Sequence, residues 1–103
     1  ETINVQVENG TATEGLDALA ASRLNYAGYA ARLAPADRRD YGASLLIDLT
    51  AAQDPNRSSS LLASMGLTQA QIISLPDPNS PVQYRLILGS DYQACFRPES
   101  LAP

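Results

Sequence analysis

Between Ile3 and Gly28 the spacing of apolar residues changes period once, and this change limits the fold more than any other feature of the chain. Ile3, Val5 and Val7 alternate with Asn4, Gln6 and Glu8, the period-two pattern of a strand with one buried face. From Leu16 the rhythm becomes Leu16, Leu19, Ala20, Arg23, Leu24 and Ala27, the i, i+3, i+4 spacing of a helix. Gly28 then supplies a residue able to take the left-handed conformation that closes helices. The pattern predicts a helix from about Glu14 to Ala27, capped by Thr11 or Thr13, and a second strand over Tyr29 to Leu33. Strand, helix and strand in that order imply a right-handed crossover onto a parallel neighbour.

The second half repeats the order. Ser44 to Leu49 is a short apolar run of strand length, and the turn after it is punctuated by Asp54 and Pro55, with Ser58 or Ser59 available as an N-cap. Leu61, Leu62 and Met65 give a short helix that ends on Gly66, with Leu67 placed for the apolar contact that accompanies such an end. Ile72 to Leu75 is a brief extended segment. The three prolines between Pro76 and Pro81 make a loop. Val82 to Gly89 alternates again and reads as the last strand. The expected fold is an α/β two-layer sandwich of βαβ, βαβ order with a closing strand. It has a mixed sheet of four to five strands, two helices on one face, and the other face open to solvent or to a partner. Residues 1–96 form the expected domain and residues 97–103 a poorly packed tail.

At 103 residues the chain suits one domain, and its 45% apolar and 17% charged composition is that of a folded protein. All seven basic residues are Arg against eleven acids, a net charge of −4, which argues against a nucleic-acid surface. No apolar run is long enough to span a bilayer. The chain begins at Glu1 without an initiator Met, so it is expected to be a mature or excised piece of something longer. There is no His, and Cys95 is the single thiol, so the usual zinc sets, nucleophilic triads and internal disulfides lack their parts. No cofactor or metal is expected. A small buried hydrophobe is the ordinary role for Cys95, with a partner cysteine outside the chain as the alternative.

Few segments look like chemistry. Gly10 and Gly15 have the separation of a phosphate-binding loop, but Leu16 and Asp17 stand where its Lys and hydroxyl belong, and Glu8, Glu14 and Asp17 add negative charge there. The dinucleotide pattern fails as well, because position 12 is Ala. Asn9 and Gly10 therefore read as a turn that starts a helix. Asp37, Asp40, Asp54 and Asp77 do not have calcium-loop spacing and read as solvated charges. The loop Pro35 to Gly42 carries Asp37, Arg38, Arg39, Asp40 and Tyr41 in a row. Arg38, Arg39 and Tyr41 form the one local positive and aromatic grouping, suited to a carboxylate, a phosphate or a sugar face. A solvated loop is the plainer reading of the same residues.

Four pieces in order resemble one family. They are VQVENGT with Gly15 and Leu16, a helix ending NYAGY, SSSLLASMGL, and YRLILGSDYQAC. Together, over about residues 3 to 95, they are similar to the C-terminal domain of LytR-CpsA-Psr cell-envelope proteins, LytR_C, with Asn9, Gly10, Gly15, Gly28, Gly66, Gly89, Asp91 and Tyr92 as the motif positions. One departure is the run AARLAP after the first helix, where family members commonly carry a β-branched strand. The resemblance implies an extracytoplasmic, membrane-tethered parent in which a separate domain attaches glycopolymers to peptidoglycan. It implies an accessory, non-catalytic role for this domain, with cell-wall glycan, peptidoglycan or another envelope domain as partner. Two rivals stand beside it. One is a small enzyme or half-site that uses Asp37, Arg38, Arg39 and Asp91 on a pyrophosphate; the other is a self-association domain.

Overall fold

The structure, a computed structural model, describes residues 3–51, 55–67 and 70–92. The elements run β1 (Asn4–Asn9), α1 (Leu16–Tyr26), β2 (Ala30–Ala34), β3 (Leu45–Asp48), α2 (Pro55–Ser64), β4 (Gln71–Ser74) and β5 (Tyr84–Leu88). The five strands form one mixed sheet in the order β2-β1-β5-β3-β4. β1 is parallel to β2 and β5, β3 is parallel to β4, and β3 is antiparallel to β5. The expected α/β class and pair of helices are present, and the mixed sheet, expected to have four to five strands, has five among the described residues. The position of the closing strand was not legible: β5 lies in the middle, between the two βαβ units.

Those two units run in opposite directions. A right-handed crossover in each then places both helices on the same side of the sheet. There the two helices share one core with alternate strand residues: Leu16, Ala20, Ala21 and Leu24 of α1 and Leu61 and Leu62 of α2 meet Val5, Val7, Leu46, Tyr84, Leu86 and Leu88. The register explains the match, because Val5 faces Tyr84, Val7 faces Leu86, and Leu86 faces Leu46, all on the helix side.

Both helices end as the sequence indicates. Gly28 has φ 105°, with its N–H donating to the Asn25 carbonyl and the Tyr29 N–H to Leu24. Gly66 has φ 73° and the same pair of bonds, to Ala63 and from Leu67 to Leu62, with Leu67 buried. These are two Schellman ends. The starts differ from expectation. The residue that caps α1 is Gly15, at φ 81°, with no side-chain bond, and neither Thr11 nor Thr13 performs that role. The Thr11 hydroxyl is drawn instead to Asn9. α2 begins at Pro55, so Ser58 and Ser59 lie inside it and cannot be its N-cap; proline is suited to a first helical position because the N–H there has no partner to lose.

The run AARLA does form a strand, β2, at one sheet edge. Its outward-facing Ala31 N–H is taken by the Asn25 side chain at 2.9 Å. On the face away from the helices, Glu8 is buried (1% exposed) and held by Arg85 through two bonds of 2.6 and 2.9 Å, with Gln6 donating to it at 2.9 Å. No helix of the described residues is long and apolar enough to cross a membrane.

Candidate functional site

β1, β2 and β5 all end at one end of the sheet, and the chain must cross that end to pass from the edge strand β2 to β3 on the far side of β5. The crossing segment is the arginine-bearing loop. It is fastened to β1 by the Tyr41 N–H on the Gly10 carbonyl (2.9 Å), and to β5 by the Ser90 N–H on the Tyr41 carbonyl (3.0 Å) and the Ser90 hydroxyl on the Gly42 carbonyl (3.0 Å). Crevices outside the carboxyl ends of strands are where open α/β sheets bind ligands. Two clefts lie here. One, about 310 Å³, is lined by Asn9, Glu14, Gly15, Asp17, Arg39 and the wall Ala34 to Ala36. The other, about 530 Å³, is lined by hydroxyl-bearing Thr11, Thr13, Tyr41, Ser90 and Tyr92, with Arg39 and Asp40.

Arg39 lines both clefts. Its Nε donates to the Thr11 carbonyl at 2.7 Å, which fixes the plane of the guanidinium. Its two Nη nitrogens make no hydrogen bond or ion pair among the described residues. Arg38 lines neither cleft. Its Nε pairs with Asp40 at 3.3 Å in solvent, and its guanidinium carbon sits 4.3 Å from the centre of the Tyr41 ring, so that a sugar seeking this face of the ring would have to displace it. The Tyr41 hydroxyl donates to Asp37 at 2.7 Å. That bond holds the Asp37 carboxyl below its ordinary range and pushes the Tyr41 phenol up. The three residues singled out in this loop are therefore only partly brought together: Arg38 and Tyr41 stack on each other, Tyr41 and Arg39 line the larger cleft, and Arg38 lines neither.

The motif residues have structural work at this same end. Asn9 Oδ1 accepts from the Thr11 N–H (3.0 Å) and hydroxyl (2.7 Å), and its amide donates to the Thr13 carbonyl (2.8 Å), which shapes the turn that carries Thr11 to Arg39. The corresponding strand end of the second unit repeats the device, with Asp48 Oδ1 accepting from the Thr50 N–H and hydroxyl. Gly10 has no room for a Cβ, which would lie 2.5 Å from the Leu88 carbonyl oxygen and 2.5 Å from the Tyr41 ring. Gly89 is tighter, at 2.3 Å from backbone of Ala43. Asp91 Oδ1 accepts from the N–H and hydroxyl of Ser44 at 2.8 and 2.7 Å, and the Ser44 hydroxyl accepts from Gly89 N–H at 2.9 Å. Tyr92 is buried and its hydroxyl has no partner among the described residues; burial pushes that phenol up, so it stays neutral.

Asp37, Arg38, Arg39 and Asp91 consequently do not gather: Asp91 is turned to Ser44, and the two arginines point to different neighbours. Asp77 lies in another turn, where it accepts from the Asn79 N–H, while Asp54 and Cys95 lie outside the described residues. Among the described residues no three acidic or thiol side chains are grouped to hold a metal ion. Sequence reasoning missed Glu14 as a cleft residue and Arg85 as the partner of Glu8. Glu14 carried a signal only as an unpaired acid beside a turn that opens a helix.

Comparison with protein families matches the model of LytR_C, described as the LytR cell envelope-related transcriptional attenuator, over residues 2–92. No curated protein and no solved structure gives a significant match. The match spans nearly the whole chain, and the chain belongs to the LytR_C family.

Proposed function

We propose, from membership of this cell-envelope-related family and from the open guanidinium edge of Arg39, that the domain is a non-catalytic binding module of an extracytoplasmic bacterial envelope protein, one with a membrane-tethered parent. Its ligand is cell-wall glycan or peptidoglycan, held at the carboxyl ends of β1, β2 and β5. The observation that carries the reading is Arg39: one nitrogen is spent on fixing the side chain, the other two make no hydrogen bond or ion pair among the described residues, and the residue lines both adjoining clefts. Pre-oriented donors bind with less ordering cost than a free arginine does. The hydroxyls of Thr13 and Ser90 along the larger cleft suit a polyhydroxylated chain.

The test is retention of the domain on purified peptidoglycan and on glycopolymer fractions. Arg39→Ala is expected to lose most of the retention and Arg38→Ala little of it; equal retention of both variants and the parent sequence would refute the assignment. A second reading, self-association, has its own support in the outer face of α1, where Leu19 and Tyr26 are exposed beside Ser22 and Arg23. Sedimentation over a concentration series distinguishes it.

A further inference from the structure

The smaller cleft has a charge arrangement that the larger one lacks. Arg39, whose two Nη nitrogens make no hydrogen bond or ion pair among the described residues, lines it, and so does Glu14, which makes none among them either. Asp17, half-buried on the same lining, uses one oxygen to accept from the Ala18 N–H at 2.9 Å. Two carboxylates and one guanidinium thus share a small cleft without pairing with one another, although an Arg and a Glu free to meet in solvent would gain from doing so. The Nε bond to the Thr11 carbonyl explains why: it restrains the guanidinium from swinging to the acids. The remaining wall, Ala34, Pro35 and Ala36, is small and apolar, and no aromatic ring of the described residues lines this cleft to stack on a sugar.

We propose that this cleft binds a zwitterionic peptide end: the carboxylate meets the Arg39 Nη pair, the ammonium meets Glu14 and Asp17, and a small side chain such as methyl lies against Ala34 to Ala36. The inference rests on the reading of the domain as a cell-wall binding module and assigns a peptide, rather than the glycan strand, to this half of the site. A carboxylate suits the guanidinium fork, which donates two parallel bonds. An ammonium suits two acids that make no ion pair among the described residues. Neither charge alone fits, because a bare anion would meet Glu14 and a bare cation would meet Arg39.

The experiment is a titration of the ¹⁵N-labelled domain with alanyl-alanine, its N-acetyl form, its C-terminal amide and a de-N-acetylated chito-oligosaccharide. Alanyl-alanine is expected to shift the amides of Gly15, Asp17 and Ala36 and the Arg39 Nε–H, and blocking either terminus is expected to weaken binding about tenfold, about 1.4 kcal/mol. Glu14→Gln, at an exposed position, should erase the preference for the free amine and leave the preference for the free carboxylate; Arg39→Lys should do the reverse. Equal binding of the free and blocked dipeptides, or shifts that avoid this cleft, would overturn the proposal. So would tighter binding of the chito-oligosaccharide through the same residues. Retention on peptidoglycan with no dipeptide response sinks the peptide assignment alone, whereas a dipeptide response with no retention on any wall polymer supports the cleft chemistry and sinks the wall-binding reading.

Discussion

Asp91 holds Ser44 by both its backbone N–H and its hydroxyl, at 2.8 and 2.7 Å, and through it the start of β3 is tied to the turn that follows β5. Ser44 is fully buried, and it also accepts from Gly89. Asp91→Ala leaves two buried donors without a partner and is expected to cost about 1–3 kcal/mol, measured by urea denaturation. Ser44→Ala acts on the same network, so the double variant should cost clearly less than the sum of the two single ones.

Arg85→Ala is expected to destabilise by about 1–3 kcal/mol, because it strands the buried Glu8 carboxylate. The loss falls below that of a fully buried pair, since the Arg85 side chain is itself 37% exposed and partly screened by solvent. Glu8→Gln with Arg85→Met together should recover part of it. A thermal melt of the two variants beside the unsubstituted domain measures the difference.

The glycines separate by what surrounds them. Gly10→Ala and Gly89→Ala drive a methyl into backbone at 2.5 Å or closer and should leave little folded protein. Gly15→Ala meets open space and suffers only its φ of 81°, a cost of about 1–2 kcal/mol. Circular dichroism during denaturation orders the three.

The Tyr41–Asp37 bond has a defined pH window. Asp37 has a depressed folded pKa, so its contribution is present above the unfolded value and is lost as pH falls through the folded one. Tyr41 has a raised folded pKa, so its share is complete below the unfolded value and disappears as pH rises through the folded one. Carbon-detected NMR should place the Asp37 carboxyl midpoint below the ordinary range, and Tyr41→Phe should move it up.

What the sequence revealed depended on range. β1, α1 and β5 announced themselves through local periodicity, and the Gly28 and Gly66 ends through local backbone need. The start of α1 was misjudged because two threonines near the turn were equally good caps on paper, and only the bond from Thr11 to Asn9 removes the first from contention. Pro55 reads as punctuation in the sequence, whereas in the structure it opens α2. The Glu8–Arg85 pair joins residues 77 positions apart and exists only because β5 lies beside β1, an adjacency no local pattern encodes. The site divided in the same way. That the loop was charged was evident, but which arginine faces a cleft depends on Nε of Arg39 finding the Thr11 carbonyl across 28 positions.

The place of β5 also governs how the chain can be made. β1 and β3 have no sheet contact with each other except through β5, the last strand of the described residues. A growing chain that has delivered both βαβ units therefore still holds two half-sheets with an open seam, and it cannot close until residue 88 has emerged. Folding of this domain should be late, fed by long-range contacts and slow for its size. A chain interrupted before Tyr84 should expose two unpaired strand edges, which makes it a substrate for chaperones and quality-control proteases.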